Sequence, residues 1–288
     1  MEEVDIDHLR TWIGRERTVE DVITPRLAAS LNAVFDVEEP VTDGMAAPLG
    51  IHWCLAPDIV PMKGLGADGH PARGGFLPPV PFPRRMWAGG RLTFFGDFRV
   101  GDTVSRRSVI EDVVLKTGRS GDMIFVTLRH DYATPRGIAL EERQDIVYRK
   151  METGGPVPRA EAKAEPPVAM PSGDAVVTLS ADPVLLFRYS AITFNGHRIH
   201  YDKPYATDEE AYPGLVFHGP LQASYLLRFS LDPSTPQKTP RSFSFRSVKP
   251  LFAGGEVTLH RTMAAGQVEL RCADQSGRDT MLATASLT

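Results

Sequence analysis

Apolar residues alternate with polar ones along several stretches of this chain, the period-2 pattern of strands with one buried face. In the first half the pattern runs through Leu92-Thr-Phe-Phe-Gly-Asp-Phe-Arg-Val-Gly-Asp-Thr-Val104, then Met123-Ile-Phe-Val-Thr-Leu-Arg129 and Asp145-Ile-Val-Tyr148. It returns in the second half in Ser242-Phe-Ser-Phe-Arg-Ser-Val-Lys-Pro-Leu-Phe-Ala-Gly-Gly-Glu-Val-Thr-Leu259, Gln267-Val-Glu-Leu-Arg-Cys272 and Met281-Leu-Ala-Thr-Ala-Ser-Leu287. Each set places a Gly-Asp or Gly-Glu turn after a strand and then adds further strands, so an antiparallel meander is expected twice. Each meander is expected to follow one main helix. In the second half, Pro213 to Phe229 carries Pro220 at a first helical position, with Leu221, Tyr225 and Phe229 at helical spacing.

Residues 151–175 break this pattern with Pro, Gly, Ala and charge and no periodicity, a composition that reads as a linker. It divides the chain into an N-terminal unit, 1–150, and a C-terminal unit, 176–288, both of ordinary domain size. The balance of 32 basic against 36 acidic residues in 288 leaves no electrostatic footprint for nucleic acid or a membrane surface, so small molecules are the expected partners. The acidic start, Met-Glu-Glu-Val-Asp-Ile-Asp-His, lacks the basic and apolar regions of a signal peptide, and a cytoplasmic protein is expected. Cys54 and Cys272 read as two separate buried thiols rather than a disulfide.

Chemistry concentrates in Tyr189-Ser-Ala-Ile-Thr-Phe-Asn-Gly-His-Arg-Ile-His-Tyr-Asp-Lys-Pro-Tyr-Ala206, where Asn195 stands five positions before His200, with His197 between them and Asp202 just after. Imidazole can take and give a proton near neutral pH, so His200 is a candidate acid/base; the bland alternative is a histidine that closes a loop with Asp202. Asn195-Gly196 alone reads as a turn. His197, His200 and His218 do not read as a zinc set, because Asn195-Gly196 interrupts the helix that their spacing would need and no acidic residue completes an open site. Gly64-Leu-Gly-Ala-Asp-Gly69 lacks the Lys-Ser/Thr of a phosphate loop and reads as a turn. Arg84 and Arg85, next to Met86-Trp87, could meet a substrate carboxylate or phosphate, as could Arg246 and Lys249; solvent-exposed ion pairing is the alternative for each.

The run around His200 resembles the signature of the MaoC-like, or type 2, enoyl-thioester hydratases: Asp, any residue, Asn, Pro, an aliphatic, His, and a small residue downstream. His200, Ile199 and Ala206 match, while Asn195 stands where the pattern has Asp, and His197-Arg198 replaces Asn-Pro. Phe-Asn-x-His-Arg-Ile-His-Tyr-Asp is similar to the subgroup of mitochondrial hydroxyacyl-thioester dehydratase type 2 and the 3-methylfumaryl-CoA and itaconyl-CoA hydratases. Leu9 to Arg15, Gly50-Ile-His-Trp53, Leu65 to Pro71 and Gly75 to Gly90 carry the same resemblance, so it spans nearly the whole chain.

The resemblance implies an α+β double hot-dog, in which each half wraps an antiparallel sheet around a central helix and only the second half carries catalytic residues. It implies a hydro-lyase that interconverts an enoyl-CoA and a hydroxyacyl-CoA, with a short branched dicarboxylic acyl group, and with no cofactor beyond the CoA of the substrate. His200 would then carry the proton traffic alone. Asn195 would position water, since a carboxamide does not titrate but can donate and accept hydrogen bonds. The Gly219 amide would stabilise the enolate, with His218, Trp87, Arg84, Arg85 and Arg246 against the substrate. A homodimer is one assembly that this reading allows. Alternatives are a dehydratase of carrier-bound fatty-acyl or polyketide thioesters, a hot-dog thioesterase and a non-catalytic acyl-CoA-binding module.

Overall fold

A computed structural model describes residues 4–118, 121–150, 173–231 and 239–287 of the chain. The stretch 151–175, expected as a linker, lies outside the described residues up to 172. A short helix α1 (Ile6–Arg10) is followed by β1 (Glu16–Val22), α2 (Pro25–Val34) and the strands β2 (Arg84–Phe94), β3 (Thr103–Gly118), β4 (Gly121–Thr134) and β5 (Gly137–Arg149). The second half repeats the plan with β6 (Ala175–Ser180), α3 (Pro183–Thr193), α4 (Gly219–Phe229), β7 (Ser242–Ser247), β8 (Glu256–Ala264), β9 (Gln267–Asp274) and β10 (Asp279–Ser286).

All ten strands form one antiparallel sheet in the order β1-β3-β4-β5-β2-β7-β10-β9-β8-β6. Read outward from the centre, 2-5-4-3-1 on one side mirrors 7-10-9-8-6 on the other. The duplication suggested by the two meanders is therefore a topological fact. The helices repeat it as well. Both α2 and α3 start on a proline, after Thr24 and Asp182, whose side chains accept from Leu27 N–H (3.1 Å) and Val184 N–H (2.6 Å).

The repeat fails at the central helix. α4 packs against β7 to β10 and buries Leu221, Ala223, Leu226 and Leu227, while Tyr225 and Phe229, which the spacing put on the same stripe as Leu221, are only partly buried. Between α2 and β2 the first half has two short 3-10 turns, Ile51–Cys54 and Met62–Gly64, and no α-helix. One core nonetheless runs through both halves, joining Leu31, Leu92 and Tyr132 to Tyr189, Leu226, Phe243 and Met281. Cys54 and Cys272 are buried free thiols, pushed up to about 12 by burial.

The halves join where β2 pairs with β7, Gly89 opposite Arg246 and Gly90 opposite Phe245. A Cβ on Gly89 would lie 2.6 Å from the Phe245 carbonyl oxygen, and one on Gly90 only 2.5 Å from that of Arg143. Backbone cannot move aside as a flexible side chain would, so both positions need glycine. The β2–β5 register shifts between Trp87 and Gly89, a local irregularity just before this contact. Gly90→Val is expected to destabilise the fold by roughly 2 kcal/mol or more, as overpacking does, with a lowered denaturant midpoint as the readout.

Candidate active site

α3 ends at Phe194, whose backbone is left-handed (φ 51°), and this reversal starts the loop that carries the candidate residues. Asn195 sits at the turn and its side-chain oxygen accepts the His197 N–H at 3.0 Å, an Asx turn that shapes the loop. A 3-10 turn, Arg198–His200, then tucks His200 inside. The histidine does not close the loop with Asp202. That carboxylate is held by the Arg198 guanidinium (2.8 and 2.9 Å) and by Tyr205 N–H (3.2 Å), and this pairing holds it below its ordinary range.

His200 Nδ1 instead lies 2.7 Å from the carbonyl oxygen of Val216. A carbonyl only accepts, so Nδ1 carries the hydrogen and Nε2 keeps the lone pair, the form a base requires. His218 stacks beneath it with ring centroids 3.6 Å apart and planes 20° apart, and lies within 2.8 Å of Ser190 Oγ through its own Nε2. His197 meets His200 edge-on at 5.4 Å, and on its other side lies His70, at 4.1 Å, from the first half. Burial keeps this row uncharged near neutral pH. It lowers His200 to about 4, with the Val216 carbonyl working against the shift and His70 adding to it. It lowers His197 to about 2, aided by His70 and His200, and His218 well below the imidazole range.

His70, His197 and His200 line a cavity of about 1440 Å³ between the halves. Trp53, from the 3-10 turn Ile51–Cys54, and the strand residues Tyr132 and Glu142 line it as well. Gly219 opens α4 at the cavity edge with its amide in the unpaired first turn, and a Cβ there would come 3.0 Å from the Trp87 ring. Trp87 stacks on Phe245 at 4.4 Å and meets Trp53 edge-on at 5.8 Å. Trp53 in turn donates to the buried Glu142 at 2.9 Å, as does the Tyr132 hydroxyl at 3.0 Å. Burial raises Glu142 above the usual carboxylate range, with both donors opposing.

The residues read from the sequence therefore separate. Asn195, His200, Gly219, Trp87, Arg84 and Arg85 all line the cavity. His218 does not: it is fully buried behind His200 and supports that ring. Arg246 leaves the site as well, because strand alternation turns its neighbour Phe245 inward and Arg246 to the exposed outer face. Lys249 lines the cavity but is paired with Asp274.

Arg84 is committed to Glu210, through the carboxylate at 3.6 Å and the backbone carbonyl, and lies over the Tyr212 ring. Arg85 lies beside His70 and Tyr148, and no ion pair of the described residues involves it.

Glu142, Asp68 and His70 were not anticipated. Glu142 shares strand parity with the buried Leu140, Ile146 and Tyr148, a signal masked by its charged neighbours. Asp68, His70 and His197 bring metal-ligand atom types within 4.8 Å of one another. Both Asp68 oxygens are already engaged by His70, through its backbone N–H (3.0 Å) and Nδ1 (3.1 Å), so the group is a hydrogen-bonded pair beside a third imidazole.

Residues 50–253 match the family model of hydroxyacyl-thioester dehydratase type 2. The chain belongs to that family. It is 42% identical to the mesaconyl-C(4)-CoA hydratase of Chloroflexus aurantiacus over 281 residues, 96% of each chain. It is 26% identical to the mitochondrial hydroxyacyl-thioester dehydratase type 2 of Schizosaccharomyces pombe, over 79% of this chain and 82% of that one. Among solved structures, HtdX of Mycobacterium tuberculosis aligns with a TM-score of 0.65 at 19% identity, over 95% of this chain and 100% of that one. A second protein of that organism, described as a double hot-dog, aligns at 0.55 and 14% identity, over 95% of each chain. The fold of this family member is the double hot-dog, and it is a hydro-lyase.

His200→Ala is expected to lower turnover on the order of a hundredfold or more, as loss of a positioned base does. Asn195→Ala should lower it less. Below pH 6.5 the unfolded chain binds protons that His52, His130, His197 and His200 refuse when folded, their values lying at about 3, 4, 2 and 4. Stability is therefore full above 6.5 and lost as pH falls towards 4. The cost is on the order of 1 kcal/mol per buried histidine at one unit below 6.5, readable as a falling melting temperature between pH 7 and 5.

Proposed function

We propose that this hydro-lyase adds water to, and removes it from, a short branched dicarboxylic acyl-CoA, of the 3-methylfumaryl-CoA or itaconyl-CoA type. The observation that carries the substrate class is Arg85, a cavity-lining guanidinium with no carboxylate partner among the described residues, while its neighbour Arg84 is paired. The likeness to the mesaconyl-C(4)-CoA hydratase along nearly the whole chain supports the same reading. A cavity of about 1440 Å³ exceeds the roughly 300–1,000 Å³ of ordinary ligand pockets and has room for an acyl group with its pantetheine arm. The chemistry needs no cofactor beyond the CoA that the substrate brings.

In hydration the thioester carbonyl sits at the Gly219 amide, where the first turn of α4 and its dipole favour the negative oxygen of the enolate. Trp87 holds the acyl group against that edge, and the distal carboxylate reaches Arg85. Water held at Asn195 adds to the β-carbon, and His200 Nε2 exchanges a proton with the reacting atoms. Dehydration reverses each step.

Charged hydrogen bonds contribute roughly 1.5–3 kcal/mol each, so a substrate without the carboxylate forfeits that much and leaves Arg85 unsatisfied. Crotonyl-CoA is expected to be a far poorer substrate than a methyl-branched dicarboxylic enoyl-CoA. Arg85→Met should erase most of that preference, mainly through KM, while Arg84→Met should leave it intact. A wild-type preference for crotonyl-CoA, or for acyl groups on carrier protein, would sink the dicarboxylic reading.

A further inference from the structure

The loop around residue 69 belongs to the first half but is built onto the catalytic loop of the second. A Cβ on Gly69 would lie 2.0 Å from the Gly196 carbonyl oxygen, and one on Gly196 would lie 2.8 Å from that of Gly69. Arg198 N–H donates to the Asp68 carbonyl at 2.9 Å, and the Arg198 guanidinium to that of Ala67 at 3.1 Å. Two glycine backbones in contact and two cross-loop bonds leave little freedom, so His70 is held against His197 as firmly as His200 is held on the other side.

Asp68 orients this imidazole as a base would need. Its two oxygens accept the His70 backbone N–H and face Nδ1, so Nδ1 carries the hydrogen and Nε2 the lone pair. Burial alone would raise Asp68, but its bonds and attraction to His70 outweigh that and hold it well below the usual carboxylate range. His70 is lowered by burial and by the nearby Arg85 and Arg73, while Asp68 works to raise it. Among the described residues no carboxylate bonds to His200 or His218, and Asp68 reaches His197 only through space, so His70 is the imidazole of the row whose charged form is best supported.

The chemistry has a place for such a group. Addition of water moves one proton off oxygen at the β-carbon and another onto the α-carbon, two different places in the substrate. His200 has one working nitrogen, because Nδ1 is tied to Val216, and Asn195 cannot titrate.

We propose that Asp68 and His70 form the second acid/base of the site, with His70 acting at the oxygen and His200 at the α-carbon. In dehydration His200 Nε2 takes the α-proton, the C–H electrons become the enolate, and the enolate expels the β-hydroxyl as water with the proton given by His70 Nε2–H. Hydration runs this backwards: the O–H of water breaks with its proton going to His70, the C–O bond forms, and the α-carbon is protonated by His200. One proton then passes between the two imidazoles, by way of water in the cavity, to restore the starting state. This assignment rests on the proposed hydro-lyase reaction and replaces the expectation that His200 works alone.

The test is the pH dependence of kcat/KM for dehydration, with the wild-type chain and the variants His70→Gln and Asp68→Asn. The groups that face His70 are Asp68 and Arg73 on its own segment, His197 and His200 on the catalytic loop, and Arg85 on β2. An acid that must be protonated and a base that must be neutral give a bell, falling below His200 and above His70. His70→Gln is expected to lower kcat at least tenfold and to remove the alkaline limb. Asp68→Asn should keep the bell but move that limb to lower pH, because the imidazolium loses its counter-charge.

A merely structural role would lower activity without moving a limb. Wild-type turnover with a single acid limb, or a His70→Gln variant within threefold of wild type with its profile unchanged, overturns the assignment and leaves the hydro-lyase reading standing. Loss of activity to a chelator with recovery on added zinc also overturns it, in favour of a metal held by the same residues. No wild-type turnover on any enoyl or hydroxyacyl thioester overturns the functional reading, and this assignment with it.

Discussion

The pairing of β2 with β7 through Gly89 and Gly90 is the constraint on which the rest of the molecule depends. A Cβ on Gly89 would strike the β7 backbone at Phe245, and one on Gly90 the Phe245 ring and the β5 backbone at Arg143. That contact makes one sheet of two repeated halves. Trp87 thereby lands on Gly219, and Arg85 reaches the cavity that holds the histidine row. The second constraint is a loss. Between α2 and β2 the first half has two short 3-10 turns in place of an α-helix, and Trp53 from the first of them lines the cavity with Tyr132 and Glu142. One half surrendered its core helix and the other supplies the catalytic loop, so the two halves build one site between them.

Burial sets the chemical character of that site. A charged imidazole is costly out of water, and that cost keeps His197, His200 and His218 neutral near pH 7. Asp68 opposes that cost, bonded directly to His70 Nδ1 and acting on His197 only through space. Two imidazoles in unlike surroundings can divide acid and base roles, just as two carboxylates in unlike surroundings do in other enzymes. Specificity comes from a different balance: Glu210 neutralises Arg84 and leaves Arg85 to a substrate.

Much of this was legible in the sequence, and the reason is periodicity. Alternation marked the strands, the spacing of Leu221, Tyr225 and Phe229 marked α4, and the short-range Asn195-to-His200 run marked the catalytic loop. What escaped depends on pairs of residues far apart in the chain. Nothing near Asp68 and His70 says that their loop folds onto Gly196, and nothing near Arg84 says that Glu210 will occupy it. Arg246 shows the opposite case, since its exposed position follows from the same alternation that buries Phe245. His218 beside Gly219 looked like a substrate contact, but the turn into α4 places the ring behind His200 rather than in the cavity.

The central claim is that this cavity interconverts an enoyl thioester and its hydrated form. The most direct measurement follows the conjugated-thioester absorbance after the wild-type enzyme is mixed with a methyl-branched dicarboxylic enoyl-CoA, and separately with the corresponding hydroxyacyl-CoA. The account predicts a fall in the first mixture and a rise in the second, both ending at one equilibrium ratio. Unchanged absorbance in both mixtures, with the ligands bound, would contradict it and leave a thioester-binding protein without hydro-lyase activity.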